Sequence, residues 1–314
     1  MEKCVLLMYK VCVMMATYNP KEYLIDQINS VFDQEGVNVE LVISDDCSKD
    51  RSFIERYADN DKVHIIKQSK NKGVTRNIMH LMKYAYDNFK DADFYAYCDQ
   101  DDVWLKDKLI TGINKLNKLP KDMPNLYYSN LLVTDSNLTP SHELFKRGIV
   151  KNNLGQALSQ VFVFACTTII NREMLGEIAN FYDYDLEKIG YDTLVYYLAI
   201  LFGNAVFDDE PHILYRQHMD NVSGVKKNGL DYIIDRCCAP FRKKEIQQTF
   251  KINAQFLIDN FGDRMTSDQR RLCEKVAGYK GLASRFKLLT NKEIRAGYFP
   301  KDFYRAVRII LNKY

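Results

Sequence analysis

Short apolar runs alternate with longer stretches in which apolar residues recur every three or four positions, and the alternation holds through residue 130. The short runs predict strands at residues 10–15, 39–44, 63–67, 94–98 and 126–129, and the longer ones predict helices at 22–33, 50–57, 74–88 and 105–116. Strand and helix in turn are the signature of an α/β fold with a doubly wound, mostly parallel sheet. Beyond residue 130 the pattern is less regular. Residues 161–170, rich in Val, Phe, Thr and Ile, predict a buried strand, 189–202 a helix, 205–216 a strand interrupted by Pro211, and 246–261 a further helix. No repeat or low-complexity stretch interrupts the chain.

In a doubly wound sheet the ligand sits outside the carboxyl ends of the strands. The polar clusters fall there: ATYNP after the first strand, SDDCSKD after the second, NKGVTRN after the third and DQDD after the fourth. Asp99, Asp101 and Asp102 are the densest of these. Three carboxylates within four residues repel one another unless a cation lies among them, and hard oxygen ligands suit Mg²⁺ or Mn²⁺. The same acids would also serve as a solvated turn capping the helix that starts near Trp104. In the second loop Asp45 and Asp46 could accept a base N–H or a ribose hydroxyl, or simply close an Asx turn. Thr17, Tyr18 and Asn19 offer similar polar contacts one strand over. In the third loop Lys72, Gly73 and Arg76 suit phosphate oxygens, with Gly73 allowing close backbone approach, or form a helix start with solvated basic residues.

Further along, Asp192 stands in apolar surroundings near a helix start, which fits either an N-cap or a general base for an alcohol. The segment YRQHMDNVSG groups Arg216, Gln217, His218 and Asn221 after a predicted strand, placing them to contact a diphosphate or a metal.

With 314 residues and 46% hydrophobic composition the chain is long enough for one large domain and an appendage, and no apolar run approaches the roughly 20 residues of a membrane span. Lys10 breaks the apolar N-terminal stretch, so a first strand is expected there rather than a signal peptide. The eight cysteines have neither C-x-x-C spacing nor a matching His cluster, so zinc and a disulfide framework are not expected, and the pattern fits reduced thiols in a cytoplasmic protein. Charge is asymmetric: residues 226–314 carry 20 Lys and Arg against 9 Asp and Glu, a net of +11, leaving −8 for residues 1–225. The expected division is therefore a catalytic domain at 1–225 and a basic helical extension at 226–314. Basic residues interleaved with Phe, Leu, Ile and Tyr in that extension suit an anionic membrane surface on the inner face of the plasma membrane, or the face of a homodimer. A nucleic-acid binder is the rival from another class, but the extension lacks a recognition motif, so nucleic acid is not expected as a partner. A nucleotidyltransferase would also use paired acids and a metal, yet the Gly-rich phosphate loop it needs is missing.

Taken in order, MATYNP, ISDDCSKD, NKGVTRN, CDQDDVW, GYDTLVYY and YRQHMDNVSG resemble the landmarks of the family 2 glycosyltransferases, which have the GT-A fold, over residues 10–225. DQDDVW followed by YRQH looks most like bacterial rhamnosyltransferases and related cell-surface polysaccharide enzymes. The resemblance implies a nucleotide-sugar donor, a saccharide or lipid-linked acceptor and inverting transfer. It implies that Thr17 and Asp46 contact the nucleoside, Arg76 lies near the diphosphate and Asp99 and Asp101 form the metal-binding DxD pair. Asp102 joins the metal or donor sugar, Asp192 is the catalytic base and His218 holds the diphosphate or the ion. Two positions depart from the family pattern: Cys47 stands where Gly is usual, and Tyr191 stands beside the base where His, Glu or Trp is common.

Overall fold

A computed structural model describes residues 8–218 and 248–314, arranged as two compact units. The first comprises residues up to 146 together with 163–186 and 190–221; the second gathers 147–162, 187–189 and 222–314. The expected boundary at residue 225 lies outside the described residues, as does Asn221.

The first unit is built on one mixed sheet. Its strands are β1 (Tyr9–Thr17), β2 (Val37–Asp45), β3 (Val63–Lys67), β4 (Phe94–Cys98), β5 (Val103–Trp104), β6 (Asn125–Thr134), β7 (Pro140–Glu143), β8 (Ile169–Ile170) and β9 (Asn204–Arg216), in the order β3-β2-β1-β4-β8-β6-β9-β5, with β7 on β6. Helices α1 (Tyr23–Phe32), α2 (Ser52–Glu55), α3 (Val74–Asn88), α4 (Lys108–Leu116), α6 (Arg172–Ala179) and α7 (Tyr191–Phe202) connect and cover it. The pairs β3–β2, β2–β1, β1–β4 and β6–β9 are parallel; β8 runs antiparallel to both β4 and β6. Val11–Met15 of β1 and all of β4 are buried on both faces, which is why these strands read as unbroken apolar runs rather than alternating ones. Helix α4 lies so close on the sheet that a Cβ at Gly112 would meet Ile169 Cδ1 at 2.5 Å and Tyr127 Cδ1 at 2.6 Å.

The predicted strands at 63–67 and 94–98 and the helix at 74–88 are observed with those bounds. Three expectations need correction. The helix at 50–57 shrinks to the single turn Ser52–Glu55, and the one at 105–116 starts at Lys108 because the residues before it pair as β5 with β9. Residues 161–170 do not form a strand beyond Ile169–Ile170. The hydroxyls of Thr167 and Thr168 donate back to the carbonyls of Phe164 and Ala165, both at 2.7 Å, closing a 3-10 turn at Ala165–Thr167 instead. Pro211 in β9 falls at a register shift against β6, the place where a strand tolerates a missing N–H.

In the second unit α5 (Leu154–Ala157) joins α8 (Thr249–Phe261), α9 (Ser267–Ala277), α10 (Leu282–Thr290) and α11 (Phe299–Ile310). Tyr314 fastens them: it is fully buried, its hydroxyl donates to the Leu158 carbonyl, its N–H donates to the Tyr279 hydroxyl at 2.8 Å, and its ring stacks on Phe250 at 5.1 Å. Among the described residues no helix is long and apolar enough to cross a membrane, and the five described cysteines are free.

Candidate active site

Because β1, β2, β3, β4, β6 and β9 run parallel, their carboxyl ends share one edge of the sheet, and the predicted site residues gather along it. The loops there are laced to one another. The Tyr18 N–H donates to Gln100 Oε1 at 2.9 Å and Gln100 Nε2 donates back to the Tyr18 carbonyl, joining the first loop to the acidic one. Asn19, at φ 45°, receives its own bond from the Lys49 N–H at 3.0 Å and donates its N–H to Ser48 Oγ at 2.7 Å, joining the first loop to the second. Asp46 is buried and accepts the N–H groups of Lys72 and Gly73 at 2.8 and 2.9 Å, one on each oxygen, joining the second loop to the third. Gly73 sits at φ 82°, a conformation L side chains resist, and so turns the chain into α3 while keeping its N–H on Asp46. Lys72 is half-buried, and Arg76 is exposed on the first turn of α3.

Asp45 takes the turn-forming role. Its carboxylate accepts the Ser48 N–H at 3.0 Å and hydroxyl, Thr17 Oγ1 at 3.4 Å and Arg51 Nε at 2.7 Å. Thr17 is thereby buried, its carbonyl accepting the Asp46 N–H. Cys47 adopts φ 63°, which shows why glycine suits that position.

The acidic loop does not cap a helix: α4 begins after Asp107, past β5. Asp102 is fully buried. Its Oδ1 accepts the Arg216 N–H at 3.0 Å, while Oδ2 has no hydrogen-bond partner among the described residues. Asp101 pairs with His218, Oδ2 to Nε2 at 2.8 Å, and the His218 ring leans on Tyr23. Arg216 staples the arrangement, with Nε on the Asp101 carbonyl at 2.9 Å, Nη1 on Ser136 O at 2.7 Å and Nη2 on Asp26 at 2.8 Å. Burial raises the proton affinity of all three carboxyls; Asp101 pushes Asp99 further, and Asp99 and Asp101 push Asp102 well above the aspartate range. Clustered carboxylates out of water are unfavourable unless protons or a cation compensate them.

Two contributors went unpredicted. Cys166, from the 3-10 turn, offers its sulfur within 4.8 Å of ligand oxygens of Asp99 and Asp102. Burial pushes its thiol well above the ordinary value, and the neighbouring Asp99 and Asp102 push it the same way, so it stays protonated. Lys108, on the first turn of α4, is completely buried with Nζ 3.9 Å from the Trp104 ring centre, and burial lowers it to about 8. The sequence did hold a signal for Lys108: it occupies a core position of the helix, in line with Gly112 and Leu116. Cys166 had none, since only the tertiary turn carries it to the acids.

Asp192 comes from α7. It is half-buried in the first turn of α7 and is not its cap; Gly190 holds that place at φ 84°. A Cβ on Gly190 would stand 2.9 Å from Asp192 Oδ1. That oxygen accepts the Thr193 N–H at 2.7 Å, and among the described residues no hydrogen bond engages Oδ2, which is left for a hydroxyl. Burial raises the Asp192 carboxyl, and its charge is felt by Asp99. Tyr191, beside it, packs on Tyr97 at 5.5 Å and so fastens α7 to the strand that delivers Asp99.

The donor set fits a hard divalent cation. It is rich in carboxylate oxygen and contains a buried oxygen with no hydrogen-bond partner among the described residues.

The chain is 27% identical over 224 residues to a dTDP-rhamnosyl transferase, RfbG, of Shigella flexneri, covering 67% of this chain and 73% of that protein. It is 25% identical over 170 residues to a UDP-Glc:alpha-D-GlcNAc-diphosphoundecaprenol beta-1,3-glucosyltransferase, WfgD, of Escherichia coli, covering 54% of this chain and 62% of that one. The crystal structure of S. aureus TarS 1-349 in complex with UDP-GlcNAc superposes with a TM-score of 0.54 at 16% identity, over 96% of this chain and 90% of that one. Residues 12–179, more than half of the sequence, match the family described as Glycosyl transferase family 2, and the chain belongs to that family and has its GT-A fold.

Proposed function

We propose that the chain is an inverting, divalent-cation-dependent glycosyltransferase. It moves a sugar from a nucleotide-diphosphate donor, dTDP-rhamnose or a UDP-sugar, to a hydroxyl of a lipid-linked saccharide in bacterial polysaccharide synthesis. The names of the Shigella and Escherichia relatives support the donor and acceptor classes. The observation that carries the chemistry is the packing of Tyr191, beside Asp192, on Tyr97 of the strand that leads to Asp99, with the charge of Asp192 felt by Asp99. Family membership favours this reading over a nucleotidyltransferase or a nucleic-acid binder.

In this reading Thr17, Tyr18, Asn19 and Asp46 line the nucleoside end, and Lys72 and Arg76 lie toward the phosphates. A bound Mg²⁺ or Mn²⁺ ion, held by Asp99, Asp101 and Asp102 with His218, would neutralise charge on the departing diphosphate. Asp192 takes the proton of the acceptor hydroxyl, whose oxygen attacks the anomeric carbon opposite the leaving group, so configuration inverts without a covalent intermediate. Cys166 and Arg216 keep Asp99 and Asp102 oriented. The acceptor-facing edge of the protein would meet an anionic membrane on the cytoplasmic side.

A thermal-shift panel of nucleoside diphosphates and sugar nucleotides with Mn²⁺ tests the reading, because a ligand of the native state raises its apparent stability. A shift with dTDP or UDP compounds that needs the cation is expected; none with any nucleotide would remove the donor site. Asp101→Ala should abolish the cation-dependent part of the shift.

A further inference from the structure

Helix α11 buries two arginines beside Ile309 and leaves aromatic side chains exposed. Its inward side carries two arginines: Arg305, whose Nη1 and Nη2 donate to the Leu288 and Leu289 carbonyls at 3.2 and 3.3 Å, and Arg308, whose Nε donates to the Lys313 carbonyl at 2.7 Å. Both are buried. Its outward side presents Phe299, 78% exposed, with Phe303 stacked on it at 6.0 Å, and Ile310 further along the same stripe. Helix α10 lies antiparallel to it, since Arg285 at its start donates to Ile310 O at 3.0 Å while Arg305 reaches its end. Along α10, Leu282 and Phe286, one turn apart, are 83% and 67% exposed. Five large apolar side chains thus stand exposed along one helical hairpin, although burying apolar surface is favourable.

Charge identifies the partner. Residues 281–314 hold eight Lys and Arg against two acids. Both acids are consumed internally: Glu293 by a two-pronged pair with Arg271, 3.0 Å in each arm, and Asp302 by the N–H groups of Ala296 and Gly297. Lys280, Lys287, Lys292 and Arg295 are exposed around the apolar stripe. A second copy of the chain would oppose this surface with the same positive charge, and a nucleic acid would leave Leu282 and Ile310 uncovered. An anionic bilayer satisfies both parts, with apolar side chains at the acyl boundary and ammonium groups among the lipid phosphates.

We propose that the α10–α11 hairpin is a docking surface for anionic phospholipid bilayers, with Phe286, Phe299 and Phe303 as the inserting side chains. The proposal deepens the reading of a lipid-borne acceptor and rests on that reading for its purpose.

The test uses the full chain, the double variants Phe299→Ser with Phe303→Ser and Lys287→Glu with Lys292→Glu, and vesicles of phosphatidylcholine with or without phosphatidylglycerol at low and high salt. Each protein also receives UDP or dTDP with Mn²⁺ in a vesicle-free thermal-shift assay. The parent chain should sediment with phosphatidylglycerol vesicles at low salt. The phenylalanine pair should weaken binding roughly tenfold or more, and the lysine pair should weaken it with a shallower salt dependence. Nucleotide shifts should be the same in all three. Parent protein left in the supernatant with anionic vesicles, or binding unaltered by the phenylalanine pair, overturns the proposal. So does a dimer seen in sedimentation velocity that the phenylalanine pair dissolves when no vesicle binding occurs. Vesicle binding without any nucleotide shift overturns the transferase reading instead and leaves the docking surface standing.

Discussion

Burial raises the proton affinity of the Asp192 carboxyl, and the direction fixes two measurable effects. As the proposed base, Asp192 would work only when ionised, so transfer should fall as pH drops through a value above the ordinary aspartate pKa of about 3.9, which a pH–rate profile of kcat would show. Because the native state holds this proton more tightly than the unfolded chain does, ionising Asp192 opposes folding, and stability from this group is lost as pH rises through its native value. Asp192→Asn keeps the Oδ1 acceptor for the Thr193 N–H and removes the charge. It should therefore melt no lower than the parent at neutral pH, and higher if desolvation dominates, while transferring roughly 10²-fold or more slowly with donor binding intact. Loss of donor binding in that variant would place Asp192 in the donor pocket and not beside the acceptor. The acidic trio and Asp192 were legible as residue types in sequence because polar groups directly after apolar runs have few structural reasons to be there. Their partners were not: Cys166 and Arg216 reach the acids from 64 or more positions away, and no local pattern encodes such contacts.

Among elements, the turn into α7 shows how a backbone conformation serves a side chain. Gly190→Ala must place a methyl group in left-handed backbone and 2.9 Å from Asp192 Oδ1. A cost of about 1 kcal/mol or more in denaturant unfolding is expected, with a larger fractional loss in kcat than in nucleotide affinity. Gly73→Ala provides the contrast, since nothing lies within 4 Å of its Cβ; it should cost backbone strain alone and weaken the nucleotide shift through the Asp46 tie. Element boundaries were readable where chemistry changes abruptly, as at Gly73 before α3. They were misread at 161–170, where the apolar composition correctly signalled burial but threonine hydroxyls bonding back to the chain selected a turn over a strand.

On the scale of the whole molecule, the doubly wound sheet followed from periodicity alone, whereas the split into two units did not. Residues 147–162 belong with the C-terminal helices, and composition carries no mark of that. Tyr314 is central to the second unit. Tyr314→Ala should lower its stability by about 3–5 kcal/mol in a denaturant melt, the range for emptying a buried aromatic site; an unchanged melt would mean that Tyr314 is not packed in solution.

The Arg216 staple sets an order of events during synthesis. The acids at 99–102 leave the ribosome more than a hundred residues before the strand that pins them. In the proposed reading, a nascent chain that has not yet made β9 would have an acidic loop with neither Arg216 nor His218 against it, so catalytic competence would arrive late, with that strand, and interrupted translation would leave fragments with no capacity to consume donor.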